Sequence, residues 1–62
     1  MKNTMIQQLK DDASRFYYAM KEGIKLDAYK QQVHQDIQAL KHLGVSQDRL
    51  EDIMSDVALK VL

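Results

Sequence analysis

The sequence contains no cysteine, no proline and no tryptophan, and only two glycines. Without cysteine there is no disulfide and no thiolate metal site, and nothing selects a redox compartment. The lack of proline leaves helices uninterrupted, and with 45% apolar residues the composition favours helices that bury a face over a disordered chain. Net charge is missing too: nine basic residues balance nine acidic ones, so the whole chain has no electrostatic bias towards nucleic acid or an anionic membrane. No apolar run approaches the length that spans a bilayer, and the opening MKNTMIQQLKDD lacks the apolar core of a signal peptide. The expectation is a cytoplasmic protein with no membrane partner.

Sixty-two residues suffice for one domain, 1–62, and a chain this short buries only about 60% of its unfolded surface. With no covalent or metal staple, the remaining reinforcement is self-association, so a homodimer or larger helical assembly is expected.

The two glycines, Gly23 and Gly44, fence the stretch GIKLDAYKQQVHQDIQALKHLG, and each sits where a helix would end. Glycine is favoured just past a helix C-terminus because it enters the left-handed region without a Cβ penalty. Between them Leu26, Tyr29, Val33, Ile37, Leu40 and Leu43 recur at steps of three and four, one stripe of a helix. This middle helix reads as the organiser of an all-α three-helix bundle with helices over about 3–22, 26–43 and 47–61, antiparallel in sequence neighbours because the turns are short.

The two turns share a pattern. Gly23-Ile24 and Gly44-Val45 each place a β-branched residue after the glycine, five positions before Tyr29 or Leu50, the spacing of a hydrophobic staple. Ser46 is a good N-cap. Its counterpart Lys25 is a poor one, which leaves Asp27 to meet the positive end of the second helix and predicts fraying there.

In the first helix Ile6, Leu9, Ala13, Phe16, Tyr17 and Met20 share a face, with Met5 at its border and Asn3 or Thr4 as candidate caps. Tyr18 points away from that face, among Asp11, Ser14, Arg15 and Glu22, and is a candidate contact residue because interfaces enrich tyrosine at their centres. In the second helix Asp36 interrupts the apolar stripe. The expectation is a rim carboxylate bonded to a Lys, Arg or Tyr hydroxyl of the first helix; burial without a partner would raise its pKa instead. His34 and His42 lack the i, i+4 spacing of a helical zinc site and read as solvated. Ala28, Gln31, Gln32, Gln35, Gln38 and Ala39 form an uncharged flank suited to packing on another helix.

Residues 44–62 carry four acidic and two basic side chains, so the third helix is the acidic one. Leu50, Ile53, Met54, Val57 and Val61 form its apolar face, while Asp48, Asp52 and Asp56 repeat at i, i+4, i+8 beside Leu59. Like charges at that spacing destabilise a helix slightly, and a basic partner would relieve them.

Residues 39–53, ALKHLGVSQDRLEDI, resemble the helix-turn-helix pattern of bacterial repressors, in which Gly, Val and Ser mark the turn. The resemblance implies a third helix in the major groove, with Gln47 and Arg49 reading bases and the protein acting as a dimer. The chain departs from that pattern at Leu40, where the family carries a small residue, and at Asp48, Glu51, Asp52 and Asp56, which would meet phosphates.

Catalysis is not expected. A triad would need Ser14, Ser46 or Ser55 to meet His34 or His42 in a water-excluded pocket that a three-helix domain has little room for, and no glycine-rich phosphate loop is present. No cofactor is implied. The sequence therefore points to a non-enzymatic regulatory or inhibitory protein that docks on a larger protein with a basic or mixed groove, through Asp48, Asp52, Asp56 and Leu59 or through Tyr18. The alternatives are a dimeric DNA binder using Gln47 and Arg49, and a structural self-assembling bundle.

Overall fold

The computed structural model describes residues 2–62. They form three helices, α1 (Lys2–Glu22), α2 (Asp27–His42) and α3 (Gln47–Val61), each within a residue of the bounds that periodicity predicts. Asn3 and Thr4, expected as caps, lie inside the first turn of α1.

Both turns close the preceding helix in the same way. Gly23 and Gly44 have φ of +72° and +89°. The N–H of Gly23 bonds to Met20 O and that of Ile24 to Ala19 O; Gly44 and Val45 bond equivalently to Lys41 O and Leu40 O. This is the Schellman arrangement, and the positive φ it demands is why glycine stands at both positions. The helix starts differ. Ser46 caps α3 by accepting the Arg49 backbone N–H at 3.2 Å. At the head of α2 the capping position falls on Leu26, which has no side-chain oxygen to offer, and Asp27 occupies the first turn.

The organiser is α1, not α2. It packs along both other helices, whereas α2 and α3 touch only marginally. Two helices joined by a four-residue turn and in contact along their length run antiparallel. Across that pair Gln8, well back from the turn in α1, reaches Asp36, well past it in α2. The stripe along its 21 residues is covered by α2 and α3 from two sides.

Each helix contributes one of the three most completely buried large side chains, Leu9, Leu40 and Leu50. Ala13, Val33, Ile53 and Val57 complete the core, with Met5, Ile6, Phe16, Tyr17, Ile37, Val45, Met54 and Val61 packed half-buried against it. Burying one such leucine stabilises the fold by about 1.5–3 kcal/mol, so these contacts decide whether so small a domain folds.

The stripes predict the centre of the core better than its ends. Met20, Tyr29 and Leu43 are exposed, because they sit in the last turn of α1, the first turn of α2 and just past its end, where the packed layers stop. Ala19 is buried instead, since the returning chain lies against it with the Ile24 N–H on its carbonyl. Asp36 is not a rim residue: it is 2% exposed, between α1 and α2, and Asp12 of α1 is buried at 8%. No Lys, Arg or Tyr of α1 bonds to Asp36; the amides of Gln8 and Gln32 do.

Candidate functional site

The α1–α3 seam gathers most of the candidate contact residues. One groove along it is lined by Lys10 of α1 and by Arg49, Asp52, Asp56 and Leu59 of α3. Leu59 is 81% exposed there, an unusual position for a leucine beside charged neighbours. Asp52 and Asp56 are exposed and make no ion pair; the single ion pair among the described residues is Arg15 with Asp12. Asp48 is exposed one turn earlier, outside the groove lining.

A second groove is lined by Ser14, Arg15, Tyr18, Ala19, Ile24, Tyr29 and Val61. Tyr18 is 57% exposed in it. Lys10, Ser14 and Tyr18 follow one another at i, i+4, i+8 along α1, so the two grooves succeed each other along one side of that helix. In α3 the same order holds, from Asp52 and Asp56 in the first groove to Val61 in the second, as expected where α1 and α3 run parallel. The acidic ridge and Tyr18, which the sequence offers as alternatives, are thus neighbouring parts of one seam. Ile24 and Tyr29 both line this second groove and remain on the surface; with the cap on Leu26 they fall at N″ and N3, one position out of the frame of the expected hydrophobic staple.

A third cleft opens where α2 and α3 diverge. Ile37, Leu50, Met54 and Ala58 line it with Tyr17 from α1 at its side, and Gln47, Glu51 and Ser55 supply its polar atoms. Gln47 therefore faces this cleft while Arg49 faces the acidic groove. Two residues apart on a helix, they lie on opposite sides and present no common surface to a base pair.

Of the buried polar pair, Asp36 and not Asp12 stands out in the sequence pattern. Asp36 accepts the Gln8 and Gln32 side-chain amides on Oδ1, each at 3.4 Å. Asp12 accepts Arg15 Nη1 on Oδ1 at 3.4 Å, and the Oδ2 atoms of both carboxyls are buried without another partner. Burial, then a hydrogen bond and the charge of Asp12, pushes the Asp36 carboxyl up from 3.8 to about 6, with Gln32 acting the other way. The signal for Asp12 was present: it stands three residues after Leu9 and four before Phe16, within the apolar stripe of α1. His34 and His42 are both exposed. Among the described residues no helix is long and apolar enough to cross a membrane. No protein-family model, curated protein sequence or solved structure matches this chain.

Proposed function

We propose that the protein is a small non-enzymatic regulatory module that docks on a larger protein through its α1–α3 seam and occludes a site the target needs. The observation that carries this reading is the company kept by Leu59: a leucine 81% exposed, next to two carboxylates without ion-pair partners. An exposed apolar side chain rimmed by unpaired charge suits a contact in which the leucine enters a pocket and the charges meet opposite ones. Lys10 and Arg49 share the groove, so the fitting partner surface is mixed, with basic groups opposite Asp52 and Asp56. Tyr18, one groove along the same seam, extends the contact. Occlusion needs no chemistry from the module.

The test is capture of a protein from source lysate by tagged chain, with and without nuclease, repeated with Asp52→Lys and Tyr18→Ala. Stoichiometric capture that survives nuclease and is lost in Asp52→Lys supports docking. Recovery of nucleic acid alone, lost on Arg49→Glu and weakening steeply with salt, would replace it with the DNA-binding alternative.

A second reading, self-assembly, is favoured by the apolar groove of Tyr18, Ile24, Tyr29 and Val61. It predicts a melting temperature that rises with protein concentration. A constant value over a wide dilution counts against it.

A further inference from the structure

Asp12 and Asp36 come from different helices, are each more than nine-tenths buried, and are each left with an Oδ2 that no amide or cation reaches. We propose that this carboxyl pair is a proton-dependent latch between α1 and α2, closed while the two share one proton and loosened when that proton is lost.

The surroundings offer little alternative compensation. From α1, the groups bonded to the pair are Gln8 on Asp36 and Arg15 on Asp12. From α2 there is Gln32, and no side chain of α3 bonds to either carboxyl among the described residues. All three of these bonds are 3.4 Å long, well beyond the usual 2.9–3.0 Å, and Arg15 is itself 68% exposed. Two negative charges in such a seam repel one another with weak support, whereas a single proton lets Asp36 donate to Asp12 and satisfies both free oxygens.

The direction of the pH effect follows. The Asp36 carboxyl is raised by its burial and by Asp12 from 3.8 to about 6 in the fold. Its protonated form therefore favours the folded state: the stabilisation is full below 3.8 and disappears as pH rises through about 6. A shift of this size changes the folding equilibrium roughly a hundredfold. His34 and His42 are exposed and bond to neither carboxyl.

The experiment is a set of melting curves from pH 4.5 to 8.5 on the full chain and on Asp36→Asn, with amide protection factors at both ends of the range and a carbon NMR titration of the Asp36 carboxyl in the unaltered chain. The latch predicts a carboxyl that titrates near 6, a melting temperature that falls across that point, greater loss of protection in α2 than in α3, and a flat profile for Asp36→Asn. Titration of the carboxyl near 4, or a fall that persists in Asp36→Asn, overturns it. Should Asp36→Asn fail to fold, Asp12→Asn replaces it with the same expectation of a flattened profile, and the carboxyl titration stands without any variant.

Discussion

Gln8 of α1 donates its side-chain amide to Oδ1 of Asp36 in α2, a side-chain hydrogen bond that joins two helices. The other bonds to this buried seam, Gln32 to Asp36 and Arg15 to Asp12, stay within one helix. At 3.4 Å the bond is weak, so Gln8→Ala should lower stability by only about 0.5–1 kcal/mol, read as a shift of the urea midpoint with unchanged slope. A loss above about 3 kcal/mol would mean that Gln8 does more than bond Asp36.

Leu40 is fully buried where α2 meets the rest of the core. Leu40→Ala should cost about 2–5 kcal/mol, a large share of the roughly 3–9 kcal/mol expected for a domain of this size, and lower the thermal and urea midpoints markedly. Circular dichroism at 222 nm followed through a urea titration reads this directly, and an unchanged midpoint would show that the core closes over the cavity.

Gly44 has φ of +89° and nothing within 4 Å of where a Cβ would stand. Gly44→Ala should therefore cost about 1–2 kcal/mol through backbone strain alone. Ser46→Ala, which removes the cap on Arg49 N–H, should cost about 1 kcal/mol. If Gly44→Ala proves neutral, the left-handed turn is not retained in solution.

Asp52→Lys and Tyr18→Ala, both at exposed positions, should leave the fold intact, with changes within about 0.5 kcal/mol. Asp52→Lys also replaces its two like-charge contacts at i±4, with Asp48 and Asp56, by opposite-charge ones and should raise the melting temperature slightly. A marked fall in melting temperature for either would mark the seam as structural instead of a docking surface.

The helix boundaries, both glycine turns and the Ser46 cap were legible in the chain, because each depends on contacts within about six residues. The exposure of Tyr18, Asp48, Asp52, Asp56 and Leu59 followed from their angular positions on single helices. Asp36 was visible as a discord in its stripe, yet its placement came out opposite to expectation. Its environment depends on what α1 brings against it, and α1 brings Gln8 and a second carboxyl, not a cation.

What the sequence determined by itself is thus the set of helices and how each ends, since hydrogen bonds and propensities along the chain are local. Only the tertiary structure decided that α1, not α2, is the hub, that Ala19 is buried while Met20, Tyr29 and Leu43 are not, and that Lys10 and Tyr18 line successive grooves beside the acids of α3. It also decided that Asp12 and Asp36 share one buried seam. These outcomes turn on which faces of different helices meet, and that choice is made by packing all three stripes at once, with the fully buried leucines of three separate helices filling one common volume.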